Sequence, residues 1–194
     1  MGDSVLEREA ERQRKAGEIL SALRLMDRWT GVGRPRLVGA AAYGLMVAPD
    51  IDIEIYCPEP RVQVGFSVLG DMAVEPGVWK VRFSNELDGS DQGLYWQIRY
   101  RAGDGEVWKI DMWLLGDDHG GPRSADLVEA MRRALTEETR RAILTIKEAV
   151  LGRQDVHSID VYRAVLDDGV RSVGDFLSWH ARDASVGLTF WRPH

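Results

Sequence analysis

Three acidic residues at alternate positions, Asp50, Asp52 and Glu54, stand in the segment "APDIDIEIY", directly behind a glycine-containing turn. Side chains of an extended strand alternate between its faces, so Ile51, Ile53 and Ile55 point one way and the carboxylates the other. Asp50 and Asp52 are then about 7 Å apart along the strand. Like charges at that range raise one another's pKa unless a cation neutralises them. Magnesium is a natural choice, because it accepts one or two carboxylates together with phosphate oxygens and water. A further carboxylate stands in "VWKIDMWLL", where Ile110, Met112 and Leu114 form an apolar face and Lys109, Asp111 and Trp113 face away from it. If this strand lies beside the first, Asp111 completes a three-carboxylate site for one or two metal ions. Gly39 and the small residues Ala40 to Ala42 let a backbone segment approach a ligand closely, and amides at a helix start favour phosphate. Metals and phosphate in one site mean phosphoryl transfer, with the metals clamping the attacking and leaving oxygens.

These residues need elements to hold them. Ser4 to about Trp29 is expected as a helix, opened by the Ser4/Glu7 capping box and carrying Ile19, Leu23, Met26 and Trp29 on one face. Thr30 to Arg36 follows as a loop, Leu37 to about Ala41 as a buried strand, and Ile51 to Tyr56 as the acidic strand. The middle of the chain predicts further strands at Val62 to Leu69 and Val78 to Phe83. A hairpin of Leu94–Tyr100 with Val107–Leu114 follows, turned by "AGDG". "GDDHGGPR" is a polar linker, after which the apolar period changes to that of helices: Ser124 to Leu151, Ser158 to Asp168 and Ser172 to Ala184. The fold class is therefore α/β (α+β), a mixed, largely antiparallel sheet with an N-terminal helix and a helical C-terminal region. Residues 1–120 form one unit and 121–194 a helical region packed on it.

The composition, 44% hydrophobic and 29% charged over 194 residues, is that of a globular protein. A net charge of −6 argues against extended nucleic acid as a partner. The longest apolar and glycine run, Leu37 to Val47, covers 11 positions, short of the roughly 20 that span a bilayer. No apolar signal core opens the chain, so a cytoplasmic location is expected and a membrane partner is not. Cys57 is the single cysteine, and the scattered His119, His157, His180 and His194 offer no zinc spacing.

The ordered set "LVGA" (Leu37 to Ala40), "DID" (Asp50 to Asp52) and "KIDMW" (Lys109 to Trp113) resembles the nucleotidyltransferase superfamily in its minimal form, the DNA polymerase β-like fold. In that family a hydrophobic strand ends in Gly-Ser or Gly-Gly, a short helix follows, and Asp-x-Asp and a later acidic strand complete the site. The resemblance covers roughly Arg36 to Leu115. It implies Asp50, Asp52 and Asp111 as ligands of magnesium, with manganese as the alternative, and Asp111 as base for the attacking hydroxyl. The implied activity moves a nucleoside monophosphate from a nucleoside triphosphate such as ATP to an unidentified small-molecule or protein acceptor, releasing pyrophosphate. Gly39, Ala40 and Tyr43 are the nucleotide-binding candidates, Tyr43 because Ala40 lacks the family's usual hydroxyl. Lys80 and Arg82, which share one strand face, are added as candidate phosphate contacts. Of the tryptophans Trp79, Trp96, Trp108 and Trp113, the last shares the Asp111 face and is the best candidate for base stacking. Glu54 is expected on a solvated face. The alternative reading is a catalytically inactive nucleotide-binding or regulatory module on the same fold, for which Ala40 is the motive.

Overall fold

The computed structural model describes residues 4–184 and 190–193, so His194 lies outside the described residues. Strands β1 (Arg34–Val38), β2 (Asp50–Cys57), β3 (Val78–Glu86), β4 (Gly93–Arg101) and β5 (Val107–Gly116) form one sheet in the order β1-β2-β5-β4-β3. Only the central β2–β5 pair is parallel; the other neighbours run antiparallel, which is the mixed, largely antiparallel sheet expected. Eight helices accompany it among the described residues: α1 (Val5–Ala22), α2 (Leu25–Thr30), α3 (Gly39–Tyr43), α4 (Val62–Ala73), α5 (Ala125–Ala134), α6 (Glu137–Ala149), α7 (Ser158–Leu166) and α8 (Val173–Asp183). None of them is long and apolar enough to cross a membrane.

Alternation divides the sheet into two unlike faces. Ile51, Ile53 and Ile55 of β2 join Ile110, Met112 and Leu114 of β5 and Leu94, Trp96 and Ile98 of β4 in a core closed by α1, α2 and α4. A second core lies among α3 and α5 to α8, around Tyr43, Leu45, Ile143, Ile146, Tyr162 and Phe176. Helix α1 touches both: Ile19 belongs to the first core, while Val5 and Leu6 pack against the second.

Several boundaries differ from the sequence-based expectation. The first helix breaks at Arg24, which is left-handed (φ 47°), so that Leu25 and Trp29 turn fully into the core. A left-handed non-glycine residue costs about 1–2 kcal/mol, and the burial of Trp29 outweighs it. Residues Val62 to Leu69 are not a strand but the start of α4. A short apolar run fits either period, and the helical choice places Leu69 and Met72 on the core while Gly65 admits the Trp96 ring. A Cβ at Gly65 would lie 2.1 Å from that ring. Strand β1 starts inside the expected loop and ends at Val38, and Gly39 opens α3 instead of continuing the strand to Ala41. The expected long helix from Ser124 is two, parted at Leu135 in extended conformation, with Thr136 and Thr139 forming a new capping box.

Candidate active site

The β2–β5 register sets Asp52 directly opposite Asp111 and Asp50 opposite Lys109. The three aspartates therefore meet on the face of the sheet that α1, α2 and α4 leave open, and one carboxylate oxygen from each lies within 4.8 Å of the others. Among the described residues they are the one group of three His, Cys, Asp or Glu side chains so arranged. Burial pushes the Asp52 carboxyl up to about 7, and the charges of Asp50 and Asp111 push the same way. Burial also raises Asp50, against the pull of Lys109.

Two observations fit a divalent cation here. Lys109 Nζ stands 2.9 Å from both Asp50 Oδ2 and Asp111 Oδ2, so a positive charge already sits between two of the carboxylates. Burial alone lowers this lysine, but Asp50 and Asp111 outweigh it and hold the ammonium above the ordinary range. Asp50 Oδ1, meanwhile, is buried without a hydrogen-bond partner. An all-oxygen set of this kind suits magnesium or manganese better than zinc or copper.

Asp111 is held from the side. Tyr95 Oη donates to its Oδ1 at 2.8 Å, and Gln97 Nε2 donates to the same oxygen at 3.0 Å. Neither residue stands out in the sequence, although both follow from the register, which sets Gln97 opposite Asp111 and Tyr95 opposite Trp113. Gly39 borders the site so closely that a Cβ there would sit 2.4 Å from Asp52 Oδ2, and its φ of +66° also favours glycine.

Two cavities open from this point. One of about 350 Å³ is lined by Gly39, Ala40, Tyr43, Asp50, Asp52 and Lys147 among others, and so contains all three expected residues of the turn. Lys147, like Tyr95 and Gln97, is a site residue that sequence reasoning missed. It lies on α6, buried, donating to Leu45 O at 2.8 Å and to Tyr162 Oη at 3.2 Å. Burial lowers its pKa to about 8, against the opposing pull of Asp52 and Asp50. A signal was present: Lys147 follows Ile143 by four residues, and so falls on the apolar stripe of its helix.

The second cavity, about 620 Å³, reaches from Gly39 and Asp52 to Trp113, Asp91 and His119. Trp113 is partly exposed, with its ring centroid 4.9 Å from that of Tyr95. Trp96 and Trp108, by contrast, are fully buried core residues, and Trp79 is exposed on the edge strand.

Lys80 and Arg82 share the open face, since the rows Asp50–Lys109–Arg99–Lys80 and Asp52–Asp111–Gln97–Arg82 run straight across the sheet. Both lie two strands beyond β5, about 10 Å away by strand spacing, and neither lines a cavity with the aspartates. The expectation of a solvated Glu54 is wrong. It is buried, and it accepts hydrogen bonds from the Ser124 and Ala125 amides at 2.9 Å each and from Tyr56 Oη at 2.6 Å. A β2 carboxylate thus caps α5, whereas the side chain of Ser124, the residue at the N-cap position, makes no capping bond.

No family model and no curated protein matches the chain. Among solved structures it is similar to the Cid1 poly(U) polymerase with MgGTP bound, at TM-score 0.59 and 13% identity, over 80% of this chain and 50% of that one. A cytoplasmic RNA terminal U-transferase is similar at TM-score 0.55 and 12% identity, over 79% of this chain and 46% of the other. Cid1 in complex with the UTP analogue UMPNPP gives TM-score 0.55 and 12% identity, over 80% and 48%. The chain spans about half the length of these structures and has their nucleotidyltransferase fold. Their names concern RNA, so they lend no support to the argument from net charge against a nucleic-acid partner.

Proposed function

We propose that this chain, built on a nucleotidyltransferase fold, transfers a nucleoside monophosphate from a magnesium-bound nucleoside triphosphate to a hydroxyl, releasing pyrophosphate. The observation that carries the reading is the meeting of Asp50, Asp52 and Asp111 from two adjacent strands, with Gly39 against Asp52. Asp50, Asp52 and Asp111 would hold the metal, which when bound supplies charge neutralisation at the phosphates and the attacking oxygen. The acceptor oxygen bonds to the α-phosphorus, the bond from that phosphorus to the bridging oxygen breaks, and pyrophosphate leaves. Asp111 takes the hydroxyl proton, with Tyr95 and Gln97 fixing its Oδ1 so that Oδ2 is the oxygen presented. Lys147 and the turn of Gly39, Ala40 and Tyr43 face the triphosphate in the smaller cavity. Lys109 balances Asp50 and Asp111 when no metal is bound.

The test is thermal unfolding with each of the four nucleoside triphosphates, with and without magnesium, on the wild type and on Asp50→Asn/Asp52→Asn. A ligand that binds only the folded state raises the midpoint by mass action. The proposal expects a shift that needs both magnesium and the aspartates. A shift that survives in the double variant, or none with any nucleotide, refutes it.

A further inference from the structure

The two cavities share Gly39, Asp52 and Ser124, yet their charges differ. The smaller contains Lys147, the kind of group a triphosphate requires; among the described residues no lysine or arginine lines the larger. The larger cavity instead offers the partly exposed Trp113 ring backed by Tyr95, the Asp91 carboxylate, and His119, whose Nδ1 is buried without a hydrogen-bond partner. Its volume of about 620 Å³ is that of a small-molecule site. Trp113 follows Asp111 by two residues on the same face of β5, so a ring on Trp113 carries its own hydroxyl toward the proposed base.

From this we infer that the larger cavity is the acceptor site, and that the acceptor is a small, non-anionic molecule with a flat ring that stacks on Trp113 and a hydroxyl that reaches Asp111. The inference rests on the nucleotidyltransferase reading of the metal site. An indole face without nearby lysine or arginine binds rings by stacking and burial, whereas a phosphate chain in this cavity would face Asp91 with no lysine or arginine on the lining to neutralise it. The basic side chains of the open face, Lys80, Arg82 and Arg99, lie outside the cavity and mark the route that an RNA acceptor would take instead.

Titration calorimetry decides the matter, with magnesium and the α,β-methylene analogue of the preferred nucleoside triphosphate both saturating. Adenosine, adenosine 5′-monophosphate and hexa-adenylate are the probes. Adenosine is expected to bind at least tenfold more tightly than the monophosphate and no more weakly than hexa-adenylate. Trp113→Ala should weaken adenosine at least tenfold while the analogue's affinity stays within twofold, and Trp113→Phe should keep most of the binding. Asp91→Lys, in an exposed loop, should narrow the gap between adenosine and its monophosphate, and Lys80→Glu/Arg82→Glu should change nothing. Tighter binding of hexa-adenylate, lost in the Lys80/Arg82 variant, overturns the inference in favour of RNA. Absence of adenosine binding while the analogue binds overturns the acceptor site alone. Failure of the analogue itself to bind with magnesium removes the underlying reading, and this inference with it.

Discussion

Replacing Gly39 with alanine tests the site through a single carbon atom. The added Cβ would stand 2.4 Å from Asp52 Oδ2, on a backbone whose φ is +66°. A comfortable carbon–oxygen approach is about 3.3 Å, so the carboxylate has to move by roughly 1 Å. Misplacement on that scale costs about 100-fold in turnover, equivalent to about 2.7 kcal/mol of barrier. The left-handed alanine itself costs about 1–2 kcal/mol of stability, which for a chain of this size lowers the melting temperature by roughly 3–6 °C. Gly44→Ala supplies the control. Its φ is +72°, but its Cβ meets the flexible Arg140 guanidinium at 2.6 Å and no aspartate. Both variants should therefore lose similar stability, while Gly39→Ala alone shifts the magnesium midpoint of nucleotide-induced stabilisation, about tenfold upward. Pyrophosphate release, once an acceptor is in hand, should fall about 100-fold in Gly39→Ala and less than threefold in Gly44→Ala. If Gly39→Ala keeps the wild-type magnesium midpoint while losing the expected stability, Asp52 does not hold the metal and the reasoning fails.

Asp52→Asn should melt higher than the wild type at pH 8 without metal, while losing magnesium-dependent nucleotide binding. The Asp52 carboxyl is raised to about 7 in the folded chain, against about 3.9 unfolded, so the stability tied to its proton is present below pH ~4 and lost as pH rises through 7. Unfolding curves at pH 4 and pH 8 check this, and an equal difference at both would contradict it. Lys147 works in the opposite sense. With a folded pKa of about 8 and an unfolded one of about 10.4, the wild type should gain stability from pH 8 to 10 relative to Lys147→Met. The same variant should bind the magnesium triphosphate at least tenfold more weakly, and unchanged nucleotide affinity would remove Lys147 from the site. Glu54→Ala strips the α5 amides and Tyr56 of their acceptor, at a cost of about 3 kcal/mol. Chemical denaturation should show that loss, and a change below about 1 kcal/mol would mean that water replaces the cap.

Periodicity made the two acidic strands legible. Asp50, Asp52 and Asp111 each stand between apolar residues at alternate positions, and a strand can bury those residues in only one way. Where one run fitted two periods, as at Val62 to Leu69, local pattern lacked the deciding term, which is the cover that α4 gives Leu69, Met72 and Trp96. The breaks at Arg24 and at Leu135 were equally hidden. Each is a local cost accepted because it turns a helix onto its core, and the core belongs to other parts of the chain.

The sequence by itself determined which residues face together along each strand, where the hairpin turns, and that Asp50 and Asp52 share one strand face behind a glycine turn, because these follow from neighbours within a few positions. Only the tertiary structure decided that β2 and β5 pair in parallel with Asp52 opposite Asp111, that Glu54 caps a helix some 70 residues away, and that Lys147 of α6 lines one cavity with Asp50 and Asp52. Register and long-range burial depend on how distant segments pack against one another, and no local pattern encodes that packing.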